Sequence, residues 1–142
     1  MRPLAALVAA ALVASAPALA KLRIEIRCSD PTPAVRQRVV LVVRSERALA
    51  YDLRLVAIAP GQPVSRVVAT LTGDTSHPDP DIRRHGFEIR LVRIGAGRWR
   101  GAARFARPGR WRVVVPTGGR EGVIIPNGAA LLALDVHPRA RS

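Results

Sequence analysis

The stretch RWRGAARFARPGRWRVVV, residues 98–115, decides how the fold of this chain is predicted. It holds six arginines, two tryptophans and one phenylalanine in eighteen positions. Side chains of a β-strand alternate between its two faces. One face of the first run therefore carries Trp99, Gly101, Ala103 and Phe105. In the second run, Trp111, Val113 and Val115 share a face. The aromatic residues are predicted to be buried, while the arginines point outward.

A turn is predicted between the two runs at Pro108-Gly109. Proline sets φ at the second position of a type II turn, and glycine accepts the positive φ of the third. The two runs are therefore predicted to form a hairpin. A platform for single-stranded nucleic acid needs exposed aromatic residues beside its basic groups. Here the two kinds of residue lie on opposite faces, so nucleic-acid binding is not expected.

The outward arginines form a candidate anion-binding face, which phosphate-rich polymers could occupy. Its residues are Arg98, Arg100, Arg104, Arg110 and Arg112. The alternative is a solvated sheet face in a chain whose coding favours arginine, since Lys21 is the only lysine among 23 basic residues. The formal net charge of +13 still draws the protein towards anionic surfaces.

Alternation also dominates the rest of the chain. Strands are predicted at 21–27, 38–44, 51–59, 64–71, 87–94 and 131–137, with turn signals between them. No helix of ordinary length is expected. Seven or eight short strands at this spacing predict an all-β fold, an immunoglobulin-like antiparallel β-sandwich. The antibody-type pattern of paired cysteines is absent, because Cys28 is the only cysteine; it is expected to be a half-buried residue at a strand end.

Residues 87–115 resemble extracytoplasmic β-sandwich domains of the YtkA-like, FixH-like and CopC/CopD-associated kind, including actinobacterial-type secreted proteins. The shared pattern is G-x-G-x-W-x-G-x-x-x-F-x-x-P-G-x-W-x-V-x-V. It is carried by Gly95, Gly97, Trp99, Gly101, Phe105, Pro108, Gly109, Trp111, Val113 and Val115. The resemblance implies a secreted sandwich. The copper site of CopC-like proteins is not carried over, because it uses a histidine at the mature N-terminus where this chain has Lys21.

The first twenty residues, MRPLAALVAAALVASAPALA, have the features of a secretory signal peptide. A basic start, an apolar run and the ending Ala18-Leu19-Ala20 predict cleavage after Ala20. Residues 21–142 are then expected to form a single domain, secreted to the periplasm or the cell surface. No later segment is long and apolar enough to predict a transmembrane span.

The loop at 74–85 is an acidic island in a basic chain. Carboxylates and imidazoles within twelve residues could bind a divalent metal, zinc or calcium. The candidate ligands are Asp74, His77, Asp79, Asp81 and His85. Their order matches no established metal-binding loop, and a solvated connection that satisfies itself with turns is the alternative. No other cofactor is expected.

No arrangement of catalytic residues is evident, so a non-enzymatic protein is predicted. The leading hypothesis is an envelope module that binds another protein through the end loops 72–86 and 116–130. The second is retention on anionic wall or membrane polymers through the arginine face. Divalent metal binding at 74–85 is the third.

Overall fold

The computed structural model describes residues 23–116 and 131–140, and these residues build eight strands and two short helices. The strands are β1 (Ile24–Cys28), β2 (Val39–Ser45), β3 (Leu55–Ile58), β4 (Gly86–Ile89), β5 (Val92–Gly95), β6 (Arg98–Ala103), β7 (Gly109–Val114) and β8 (Leu131–Val136). The helices are α1 (Val64–Thr72) and α2 (Ile82–His85).

Two four-stranded antiparallel sheets pack face to face, which confirms the predicted all-β sandwich. The first sheet has the order β1-β2-β6-β5 and the second the order β4-β3-β7-β8. The first order is that of strands A-B-E-D in immunoglobulin domains, and β3-β7-β8 follows C-F-G. A parallel bridge between Ala34 and His137 joins the segment after β1 to the end of β8.

The core between the sheets is built from the inward residues of the opening stretch. Trp99 and Phe105 are fully buried, and Trp111 is 3% exposed. Phe105 and Trp111 have ring centroids 5.2 Å apart, and Phe87 lies 5.9 Å from each. Tilted aromatic rings at such distances attract one another beyond the area that they bury. The predicted burial of these side chains is confirmed.

The predicted hairpin between the two arginine-rich runs is wrong. β6 pairs with β2 and β5 in the first sheet, whereas β7 pairs with β3 and β8 in the second. Residues 104–108 cross between the sheets, with Phe105 buried on the way. Gly109 has the positive φ that was predicted, 124°. Alternation shows which side chains point inward, but an inward face looks the same in either sheet.

The predicted strand 87–94 is broken in the middle for the same reason. β4 belongs to the second sheet and β5 to the first, so the chain changes sheets at Arg90 and Leu91. Gly101 of β6 passes close to this crossing. A Cβ atom on Gly101 would lie 2.6 Å from the carbonyl oxygen of Arg90. The glycine therefore allows the close approach of two backbones.

Residues 64–71 were predicted as a strand, and they form helix α1 instead. Their valines favour strands, but the apolar residues Val64, Val67, Val68 and Leu71 follow the spacing of one helix face. This face covers Val56, Ile58 and Val114 on the outer side of the second sheet. The helix ends at Gly73, which has a left-handed φ of 75°. Burial of this apolar face overrides the strand propensity.

The part of the chain that the structure describes contains no helix long and apolar enough to cross a membrane. The predicted signal peptide at 1–20 lies outside the described residues. So does the loop 116–130, apart from Pro116. The last predicted strand is confirmed as β8.

Candidate functional site

The structure divides the five arginines of the predicted face between the two sheets. Arg98 and Arg100 lie on β6 in the first sheet, and Arg104 follows directly after it. Arg110 and Arg112 lie on β7 in the second sheet. The outer faces of a sandwich point away from each other, so the five do not form one continuous face.

Two arginines that were not among the predicted site residues lie next to Arg98 and Arg100. Arg44 of β2 is directly opposite Arg98, and Arg27 of β1 and Arg100 are both opposite Val42. All of these arginines are exposed. We call Arg27, Arg44, Arg98 and Arg100 the basic sheet face. Glu25 is its only acidic neighbour in the same ladder, and four cations with one carboxylate leave the face strongly positive.

Glu25 does not neutralise the centre of this face. Its Oε1 accepts a hydrogen bond from Nε of Arg27 at 2.7 Å. Within residues 23–116 and 131–140, the guanidinium groups of Arg44, Arg98 and Arg100 make neither an ion pair nor a hydrogen bond. Like charges directly opposite each other destabilise a sheet. The Arg44–Arg98 pair is therefore a local cost to the fold.

A shallow groove of about 330 Å³ runs along this side of the sheet. Arg27, Arg44 and Arg98 line it together with the half-buried side chains of Val40 and Val42. Cys28 also lines the groove; it ends β1 and is half-buried, as predicted. Burial raises the pKa of the Cys28 thiol, which keeps it protonated near neutral pH. The groove therefore offers fixed positive charge and apolar surface, without a reactive thiolate.

The other three predicted arginines have local partners. Arg104 Nη1 donates a hydrogen bond to the carbonyl oxygen of Arg36 at 2.7 Å. Arg112 Nη2 donates to the carbonyl oxygen of Gln62, beside α1. Arg110 lies opposite Asp135 of β8. Their charges are thus partly used in joining loops and strands of the sandwich.

In the acidic loop, the structure brings together two of the five candidate metal ligands. Nδ1 of His85 lies 2.6 Å from Oδ2 of Asp79, whose side chain is 5% exposed. The other Asp79 oxygen, Oδ1, accepts the backbone N–H of Asp81 at 2.9 Å. These hydrogen bonds, that of His85 first, hold the pKa of Asp79 below its ordinary value.

The remaining candidates, Asp74, His77 and Asp81, are exposed. The ring of His77 is hydrogen-bonded to the hydroxyl of Ser76 at 2.9 Å. Across the described ranges 23–116 and 131–140, no three histidine, cysteine or carboxylate side chains are grouped so that they could hold a metal ion. Zinc sites use three or four protein ligands, and the Asp79–His85 pair supplies two.

Two further carboxylates serve arginine and tryptophan side chains. Oδ1 of Asp52 accepts hydrogen bonds from Nε1 of Trp99 and from Nε of Arg93, both at 3.1 Å. These bonds lower the pKa of Asp52, with the Trp99 bond as the larger cause. Glu88 is held by Arg54 at 2.8 Å, which lowers its pKa as well. Both carboxylates are thus ionised partners that fix neighbouring side chains.

Comparison with protein-family models gives no matching family. Comparison with curated proteins gives no match either. The resemblance of residues 87–115 to YtkA-like and CopC-associated domains therefore stays a prediction, and the geometry of the chain carries the functional argument.

Proposed function

We propose that this chain is a non-enzymatic binding module that attaches to anionic partners through the basic sheet face. The observation that carries the proposal is the position of Arg44, Arg98 and Arg100, which are exposed, adjacent and without an acidic partner in the described part of the chain. An anion placed over these residues offsets their mutual repulsion, so binding and relief of repulsion act in the same direction.

The sheet also orders these charges in advance. Opposite residues in an antiparallel ladder have Cβ atoms about 5 Å apart, and alternate residues on one strand lie roughly 6.7 Å apart. The guanidinium groups of Arg98, Arg100 and Arg44 start from these fixed positions. Phosphate or carboxylate groups along one partner can therefore engage several arginines without reorganisation of the backbone.

The alternative is a protein partner held by the end loops. Of these, 117–130 lies outside the described residues, and the 72–86 loop is tied to the body of the protein. Asp79 N donates to the hydroxyl of Thr70 in α1 at 3.1 Å, while its side chain holds His85. This packing leaves the exposed arginines as the feature with the clearest ligand chemistry, and we favour the sheet face.

A location outside the cytoplasm accompanies this proposal. It rests on the sequence of residues 1–20, which has the pattern of a secretory signal. In that setting the available polyanions are envelope polymers and lipid head groups rather than nucleic acid.

Binding of long-chain inorganic polyphosphate at several salt concentrations tests the proposal. For three arginine contacts, the dissociation constant is expected to rise roughly 20-fold from about 50 mM to about 200 mM salt, because bound counterions are released. Replacing Arg44, Arg98 and Arg100 together by glutamine should remove most of the affinity and of the salt dependence.

The matched control removes three exposed arginines from the other side of the molecule. Arg66, Arg83 and Arg110 lie on α1, α2 and β7, and their replacement by glutamine changes the net charge by the same amount. This control should bind nearly as tightly as the unchanged chain. Equal losses from both triple variants would mean that net charge alone attracts polyanions, and would contradict a site on the first sheet.

A further inference from the structure

Apolar side chains are exposed beside the arginines of the basic sheet face. Val92, which is 59% exposed, lies opposite Arg100 in the ladder between β5 and β6. Ile94, two residues further along the same edge strand, is 51% exposed. Among the described residues, only Leu131 is a comparably exposed large hydrophobic side chain, and it lies on the second sheet.

One cross-strand row shows how closely the two kinds of side chain are mixed. Across the first sheet, Arg27, Val42, Arg100 and Val92 stand opposite one another in that order. The next position along the ladder places Val40 opposite Ala102, and Ala102 is exposed. The outer surface of the sheet therefore alternates cationic with apolar groups. A soluble polyanion would use the cations and leave the apolar groups in water.

We propose that the anionic partner of the basic sheet face is the surface of a lipid bilayer, an inference that rests on the proposed function. The headgroup region offers phosphates to Arg98 and Arg100, while Val92 and Ile94 enter the boundary between headgroups and acyl chains. The long arginine side chains reach back to the phosphates as the apolar side chains insert. The protein attaches as a peripheral module with the first sheet towards the membrane.

Partition of the full chain onto phospholipid vesicles tests the inference. The vesicles are of phosphatidylcholine alone, or of phosphatidylcholine with phosphatidylglycerol as the anionic lipid. The double variant Val92→Ser, Ile94→Ser should bind anionic vesicles about tenfold more weakly, because two apolar side chains no longer leave water. Its affinity for polyphosphate should be unchanged. Leu131→Ser, an equally exposed change on the second sheet, is the matched control and should bind both partners normally.

A local reporter makes the test independent of any other membrane-binding segment. With Cys28 changed to serine, an environment-sensitive fluorophore is attached through Val92→Cys, or through Arg66→Cys on α1 as the control. The fluorophore at position 92 should shift to shorter wavelength with anionic vesicles and be quenched by a quencher carried on lipid. The fluorophore at position 66 should show neither change.

The outcomes separate the two proposals. If polyphosphate binds but the serine double variant binds vesicles as the unchanged chain does, or the fluorophore at position 92 stays in water, a soluble polymer is the partner and the lipid inference is overturned. If the glutamine triple variant binds both polyphosphate and anionic vesicles as tightly as the unchanged chain, the proposed function itself is wrong.

Discussion

Arg44 and Arg98 stand directly opposite each other in the ladder between β2 and β6, two cations where a sheet gains stability from unlike charges. This pair leads to a prediction in which stability and binding change in opposite directions. Arg98→Glu should raise the free energy of unfolding by about 0.5 kcal/mol, because it places a carboxylate opposite Arg44. It should also weaken binding to polyphosphate.

The control for this prediction lies on the other sheet, where Arg110 is opposite Asp135. Arg110→Glu creates a like-charge pair and should lower the free energy of unfolding. Urea unfolding at low salt measures both variants, and the two effects should fade in concentrated salt. A loss of stability in Arg98→Glu equal to that in Arg110→Glu would contradict the view that binding has been favoured at a cost to the fold.

A second prediction concerns the point where the chain changes sheets. Gly101→Ala should lower the free energy of unfolding by roughly 1–3 kcal/mol, since the new methyl group would overlap the carbonyl oxygen of Arg90. Gly95→Ala is the control, because its added Cβ would make only ordinary contacts of 3.8 Å and more, with Arg98. Thermal or urea unfolding of both variants checks this. Similar stability of the two variants would argue against the close crossing.

The small core beneath α1 gives a third prediction. Val67 is fully buried against the outer face of the second sheet, and Val67→Ala should cost about 2 kcal/mol of stability. Val68→Ala removes the same atoms from a half-buried position and should cost clearly less. Urea unfolding compares the two variants. Equal losses would be inconsistent with a helix that turns Val67 towards the sheet.

The ion pair of Asp79 and His85 predicts a dependence of stability on pH. The pKa of Asp79 is lower in the folded protein than in the unfolded chain. Its contribution is therefore complete above the unfolded pKa of about 3.9, and is lost as the pH falls through the folded value. Asp79→Asn should be less stable than the unchanged chain near neutral pH, and the difference should shrink below about pH 4.

Urea unfolding at several pH values measures this difference. Asp74→Asn, an exposed change in the same loop, should leave the free energy of unfolding unchanged near neutral pH. A gap between the unchanged chain and Asp79→Asn that stays constant down to acidic pH would rule out a stabilising role for the ionised Asp79 carboxylate.

The alternation of residues 98–115 was sufficient to predict which side chains form the core. Trp99, Phe105 and Trp111 are buried as expected, because inward and outward positions depend only on the local two-residue period. The partner of each strand depends on contacts between distant residues. The same alternation therefore fits a hairpin or a crossing between sheets, and the hairpin prediction failed.

The candidate site shows the same limit. Arg27 and Arg44 lie in segments that were predicted as strands, but their closeness to Arg98 follows from the order β1-β2-β6, which no local pattern encodes. Arg110 and Arg112 were grouped with Arg98 only because they are near it in sequence. In 64–71, β-branched valines suggested a strand, although Val64, Val67, Val68 and Leu71 already had helical spacing.

The most direct test of the account is to map the binding surface residue by residue. Amide NMR spectra of the chain, recorded while inorganic polyphosphate is added, would show which backbone groups sense the anion. The account predicts shifts concentrated at residues 25–27, 42–44 and 98–100, the centre of the basic sheet face. Shifts centred on 104–112 or on the loop 74–85, with β2 and the start of β6 unchanged, would contradict it.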